Sequence, residues 1–283
     1  MLPPYCELHC LSNFTFLRGA SHPEELVEQA AQLGYSALAL TDECSLAGIV
    51  RAHEAAKASG LKLIIGAEIR LEDGLKLVLL ATDREGYGNL SELITRSRRK
   101  AAKGAYHLAR SDLASGLTGC LALLLPELEP SPEHAHWLAK ELPGRAWIAV
   151  ELHRGADDRA RLSRLAELSK QTSLPLVAAG DVHMHVRSRR ALQDTLTAIR
   201  LKTPMARAGY ALYPNGERHL RRRVTLAALY PAELLAETLR IAERCGGAER
   251  LDALASRRHT AKMVANHTEM TRKIAHNTGT AHA

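Results

Sequence analysis

The sequence predicts an α/β fold, either an α/β barrel or a doubly wound sheet, and three observations carry that prediction. Seven short runs within the first 180 residues are almost continuously apolar, as strands covered on both faces should be. Helical patterns lie between most of them, which is the alternation that builds largely parallel sheets. Hydrophobic residues make up 46% of the chain but aromatics only 4%, so the core must be packed from Leu, Ala, Val and Ile.

In chain order the expected strands are 5–9 (YCELH), 36–41 (SALALT), 62–69 (KLIIGAEI), 75–81 (LKLVLLA), 121–125 (LALLL), 146–152 (AWIAVEL) and 174–180 (LPLVAAG). The first expected helix, PEELVEQAAQLG, has Pro23 at its start, Ser21 with Glu24 as a capping box, and Gly34 as its stop. A second, SLAGIVRAHEAAKASG, stops at Gly60; later ones are ADDRARLSRLAELSKQ and RSRRALQDTLTAIRL. After residue 203 the chain turns irregular and basic, then forms one amphipathic helix, YPAELLAETLRIAERC. From Gly246 aliphatic density falls, and 246–283 is expected to be a poorly ordered tail without chemistry. The expected organisation is one domain over 1–203, a connecting segment over 204–245, and that tail.

Net charge is +7 over 283 residues, with a sequence pI near 9.3, a balance that suits an anionic partner such as nucleic acid. Three basic runs could contact phosphates: RSRRK (Arg96, Arg98, Arg99, Lys100), RSRR at 187–190, and HLRRR with Arg221 and Arg222. No stretch has the ~18 apolar residues of a membrane span, and the first residues lack signal-peptide character. Five cysteines without a CxxC read as reduced thiols of a cytoplasmic protein; Cys10 and Cys44 are read as core residues. Ser12 and Ser45 have no suitably spaced His–Asp partners, and no GxxxxGK[ST] loop is present.

The ionisable residues gather at strand ends. His9 closes the first strand, Asp42 and Glu43 follow the second, and Glu68 ends the third. Glu151 and His153 end the sixth; Asp181 and His183 follow the seventh. In α/β barrels the loops at such ends build the site, and carboxylates with imidazoles there suit divalent metals and phosphoester chemistry. His185 is expected to be a loop residue.

The succession ELHCLSNFTFLRGAS, LALTDECSLAGIVRAHEAAKASGLKLIIGAEI, LVLLATDREGYGNLSELITRSR, VELHRG and LPLVAAGDVH resembles the polymerase-and-histidinol-phosphatase (PHP) domain. It is most similar to the form at the N-terminus of bacterial alpha-type DNA polymerases, the error-prone type in particular. The resemblance covers roughly residues 4–245. It implies a distorted (βα)7 barrel followed by a short helical extension. It also implies a polymerase of damage-induced translesion synthesis and repair, whose palm, fingers and thumb are too large for this chain.

Position by position, the resemblance offers His9, Asp42, Glu43, Glu68, His153, Asp181 and His183 as metal ligands. Leu11 stands where the family has the second histidine of H-x-H, Glu43 where T-D-H has its histidine, and Arg18 where an acid is common. Cys120 lies too early for the family's cysteine. Leucine cannot ligate, and Glu43 cannot reproduce an imidazole. The expectation is therefore a scaffold domain with a degenerate site, its divalent metal (Mn, Zn or Mg) partial or absent. The alternatives are an active 3′–5′ exonuclease or phosphoesterase, and a metabolite phosphatase. Expected partners are DNA, bound weakly through the basic runs, the polymerase body, and other translesion-synthesis proteins. The helix 230–245 is expected to expose Leu234, Leu235, Leu239 and Ile241 toward that body.

Overall fold

The computed structural model describes residues 2–114 and 117–246; the tail expected over 246–283 lies, apart from Gly246, outside the described residues. Residues 1–247 form one compact unit. Its seven strands are β1 (Cys6–Glu7), β2 (Ala37–Leu40), β3 (Lys62–Arg70), β4 (Lys76–Ala81), β5 (Cys120–Leu124), β6 (Ala146–Glu151) and β7 (Leu176–Ala179), hydrogen-bonded in that order. The helices are α1 (Pro23–Gln32), α2 (Ile49–Ser59), α3 (Arg84–Arg99), α4 (Arg110–Leu113), α5 (Pro132–Glu141), α6 (Asp158–Thr172), α7 (Arg190–Arg200), α8 (Met205–Ala208), α9 (Arg223–Leu229) and α10 (Ala232–Arg244). The barrel is nearly closed. Beyond the ends of β1 and β7 the backbones meet at Cys10 and Val182, where Leu11 donates to the Val182 carbonyl at 2.8 Å and Val182 to that of His9 at 2.9 Å.

Lower down the seam, a side chain takes over from the backbone. Buried Glu7 accepts through Oε1 from the N–H groups of Gly180 (2.8 Å), His9 (3.0 Å) and Leu8 (3.1 Å). Its Oε2 accepts from the Tyr5 hydroxyl at 2.9 Å. Unpaired backbone donors in a buried gap would each cost a lost hydrogen bond, so this carboxylate does work that a ladder does elsewhere.

One strand runs against the rest. β4 is antiparallel to both β3 and β5, whereas every other neighbouring pair is parallel. The cause is length: only five residues separate β3 from β4, and a parallel return needs a crossover of roughly a dozen or more. Because β4 is reversed, its first residue, Lys76, lies at the end of the barrel where its parallel neighbours finish.

Alternate residues of the strands point inward. Ile64, Val78, Leu80, Trp147, Ala149, Val177 and Ala179 belong to one buried cluster. The same parity carried to the rim gives Glu68, Lys76, Glu151 and Asp181, so the polar site is the continuation of the hydrophobic core. At the seam, Ile241 and Ala242 of α10 and Cys245, which caps it, join that cluster, and the Thr238 hydroxyl accepts from the Cys6 N–H at 3.2 Å. This corrects the expectation for this helix. Leu234, Leu235 and Ile241 are buried, and Leu239 packs partly buried against the core, because the helix folds back over β1 and β7. Exposed apolar side chains instead occur at Leu192, Ile199, Leu201 and Met205.

The start of α1 also differs in detail. Its N-cap is His22, whose N–H donates to Glu25 at 2.8 Å; the Ser21 hydroxyl is 2.8 Å from His185 Nδ1 instead. The box is displaced by one residue because Ser21 is used to tie the loop after β7. Gly60 closes α2 with φ of 69°, a left-handed stop that its missing Cβ permits. Among the described residues no helix is long and apolar enough to cross a membrane.

Candidate metal centre

His9, Glu68, Glu151 and Asp181 converge at the rim. His9 is fully buried between two carboxylates, with Nε2 at 2.9 Å from Glu68 Oε2 and Nδ1 at 2.7 Å from Glu151 Oε1. Asp181 Oδ1 lies 3.8 Å from the same Nδ1. Burial opposes the imidazolium, but the hydrogen bonds of Glu151 and Glu68 push His9 up to about 10. One ligand atom each from His9, Glu151 and Asp181 lies within 4.8 Å of the others, so this group could hold a metal ion.

Three cations stand among these acids. Arg18 Nη1 is 2.6 Å from both Glu43 Oε2 and Glu68 Oε1, and its Nη2 is 3.2 Å from Glu68 Oε2. Lys76 Nζ is 3.2 Å from Glu68 Oε2. Arg218 Nη2 is 3.2 Å from Asp181 Oδ2, while its guanidinium stacks over Tyr213, 4.1 Å from the ring centroid. The carboxylates respond. Burial would raise them, yet Lys76, His9 and Arg18 hold Glu68 well below the usual carboxylate range, and Arg218, His183 and His9 do the same for Asp181. His9, Arg18, Lys76 and Arg218 thus stand among Glu43, Glu68, Glu151 and Asp181 within direct ion-pair distance.

The remaining sequence candidates have other partners. Asp42 is buried and accepts from the Ser12 N–H (2.8 Å), the Ser12 hydroxyl (2.7 Å) and the Thr15 hydroxyl (2.7 Å), so it pins the loop after β1. Burial raises its pKa against those hydrogen bonds. Glu43 pairs with Arg18 and accepts from the Tyr106 hydroxyl at 2.9 Å. His183 stands behind Asp181, with Nε2 at 2.9 Å from Oδ1 and Nδ1 at 2.8 Å from Gln193, and burial brings it down to about 4.

His153 departs from the expectation. Its Nε2 is 2.7 Å from Arg218 Nη1 and 3.1 Å from the Gly180 carbonyl, and burial with Arg218 lowers it to about 4. It lies outside the group His9, Glu151 and Asp181, because β6 ends at Glu151 and His153, beyond the strand, is turned to Arg218 and the Gly180 carbonyl. Glu151 ends that strand two residues earlier, and the inward parity of Trp147 and Ala149 was the signal for it. Arg221 is corrected too: it is buried and donates to the Leu152 carbonyl at 2.8 Å, so it does not face solvent. Arg98 also turns inward, to the carbonyls of Cys44 (3.1 Å) and Glu43 (3.3 Å), whereas Arg96, Arg99, Lys100 and Arg222 are exposed.

The backbone at the rim is unusual. Cys44, Arg154 and Asp181, each just beyond a strand, adopt positive φ of 46°, 56° and 44°. Non-glycine residues there cost on the order of 1–3 kcal/mol each and persist where surrounding contacts fix them. Asp181 is fixed on both sides, by His183 and Arg218.

A barrel with a buried His–Glu–Asp group at its strand ends defines the class. The chain carries a PHP domain, and residues 7–136 match that family's model. It is 62% identical over 249 residues to the error-prone DNA polymerase of Dechloromonas aromatica, and 61% identical over 241 residues to that of Pseudomonas aeruginosa. These matches cover 86% and 85% of this chain but 24% and 23% of the relatives, so the chain spans about a quarter of their length. Over most of its length the chain is thus similar to one part of error-prone DNA polymerases, and that part includes the PHP match. Among solved structures it is similar to one assigned as a metal-dependent phosphoesterase from Bifidobacterium adolescentis, with a TM-score of 0.49, 17% identity, and coverage of 64% of this chain and 89% of that one.

Proposed function

We propose that this chain is the structural PHP domain of an error-prone, alpha-type DNA polymerase of damage-induced translesion synthesis and repair. In this reading it works in the cytoplasm, the nucleotidyl transfer belongs to the polymerase body, residues 1–203 supply the barrel, and 204–245 pack back over its seam before the connection to that body. The observation that carries the reading is that Arg18, Lys76 and Arg218 engage Glu43, Glu68 and Asp181 directly. A divalent ion needs several free lone pairs from carboxylate or neutral imidazole. Here the acids are already matched by side chains that the fold holds in place, and breaking such a buried pair costs about 3–5 kcal/mol. The domain keeps the rim of a metallo-barrel while cations of its own chain balance the charge.

His9, Glu151 and Asp181 support the second reading, a 3′–5′ exonuclease or phosphoesterase with Mn, Zn or Mg. An ion held by those three would polarise a phosphoester and lower the pKa of a bound water. In that case Arg218 would orient a phosphate oxygen and Lys76 would stabilise developing charge. Elemental analysis after dialysis against Mn²⁺ and Zn²⁺, beside degradation of a 3′-labelled oligonucleotide, separates the two. The scaffold reading expects less than one tightly held ion per chain and no cleavage above an Asp181→Ala control. Cleavage that the control abolishes would establish the nuclease.

A further inference from the structure

The rim carries an aromatic side chain that the ion pairs do not use. The chain has two phenylalanines, and Phe16 is 82% exposed. A single exposed apolar residue means little by itself. This one, however, sits on a loop held tightly at both ends. Thr15 is buried and its hydroxyl donates to Asp42; the N–H groups of Arg18 and Gly19 both donate to the Thr15 carbonyl, at 3.0 and 3.1 Å. Ala20 donates to the His183 carbonyl at 2.7 Å, and Leu17 takes a left-handed φ of 59°. At Gly19 a Cβ would meet the Ser12 carbonyl oxygen at 1.9 Å, so the turn closes only with glycine there. The ring is presented to water by a preorganised support.

A second feature lies against the same loop. The Glu43 N–H donates to the Thr15 hydroxyl at 3.0 Å, and the Glu43 carbonyl accepts from Arg98 of α3 at 3.3 Å. Arg98 also donates to the carbonyls of Gly104 and Ala105, drawing the turn after α3 against this edge. Glu43 thus joins the Phe16 loop to the basic end of α3, and its own carboxylate is already engaged by Arg18 and Tyr106. Arg99 and Lys103 are exposed there and have no ion pair among the described residues, while Lys100 is paired with Asp112.

We propose that this edge binds single-stranded nucleic acid, with a base stacked on Phe16 and the adjoining phosphates along Arg99 and Lys103. Stacking on an aromatic face is indifferent to base identity, and unpaired cations supply the backbone attraction. A duplex keeps its base faces covered and offers nothing to the ring. That the strand is DNA rests on the polymerase reading; the stacking geometry stands without it and without any metal.

The test is fluorescence anisotropy of a labelled oligothymidine with the full chain, in EDTA and over a salt series. Phe16→Ala should weaken binding about tenfold, and Phe16→Trp should retain it. Replacing Arg99 and Lys103 together by Ala should make the slope of log affinity against log salt shallower by about 1.4. All three side chains are exposed, so thermal unfolding of each variant should match the parent, as should the oligonucleotide affinity of a Val224→Ala control. Wild-type affinity in Phe16→Ala, equal competition by duplex, or no binding by the parent chain would overturn the proposal. Because EDTA is present, finding tightly held metal in the elemental analysis would sink the scaffold reading and leave this binding untouched.

Discussion

Replacing Arg18 is the most direct way to ask whether side-chain cations stand where an ion would. Arg18 bridges Glu43 and Glu68 with two contacts of 2.6 Å and one of 3.2 Å; its side chain is 16% exposed and that of Glu68 1%. Removing one partner of a buried pair costs about 3–5 kcal/mol. Glu68 keeps His9 at 2.9 Å and Lys76 at 3.2 Å, so Arg18→Ala should fall at the low end, about 3 kcal/mol. In Arg18→Asp the loss should be larger, because a further buried negative charge joins the freed carboxylates. Both variants should then gain affinity for a divalent ion. Mn²⁺ at a hundred times its Kd would return about 2.7 kcal/mol, most of the loss in Arg18→Ala. Urea unfolding with and without Mn²⁺ reads both quantities. The reasoning is refuted if Arg18→Ala costs under about 0.5 kcal/mol, or if Mn²⁺ stabilises the parent chain as much as the variants.

Stability should peak near pH ~6.5, the unperturbed histidine value. His153 and His183, lowered to about 4, stay neutral in the fold while the unfolded chain takes up protons below that pH, so stability falls on the acid side. His9, raised to about 10, stays protonated in the fold while the unfolded chain loses its proton, so stability falls by up to about 1.4 kcal/mol per pH unit on the alkaline side. A flat alkaline limb in urea titrations would mean that His9 is neutral. Gly180→Ala places a Cβ 2.3 Å from Glu7 Oε2 and should cost about 1–3 kcal/mol by urea unfolding, without altering metal binding. Leu11→His alone should leave Zn²⁺ affinity unchanged by calorimetry, since Arg18 and Lys76 still hold Glu68, and should tighten it only in combination with Arg18→Asp.

Much of the frame was legible in the sequence because it depends on neighbours along the chain. Apolar runs such as LALLL and LPLVAAG can hardly be anything but covered strands, and Pro23 and Gly34 bracket a helix whatever surrounds it. The spacing that brings Glu68 and Asp181 to strand ends is likewise local. What no local pattern held was which charges would meet. Lys76 reaches Glu68 only because β4 runs backwards, and Arg218 reaches Asp181 from a segment without a strand. The same holds for the helix 230–245, whose apolar face suited a missing neighbour equally well until the fold turned it onto β1 and β7. Hydrophobic periodicity is written residue by residue, whereas an ion pair across dozens or hundreds of positions depends on register and on closure of the barrel. The sequence alone therefore determined the seven strands and several of the helices between them. Only the tertiary structure decided that cations of the chain itself would pair with the carboxylates at the rim, because Coulomb attraction depends on distance in space and not on separation along the chain.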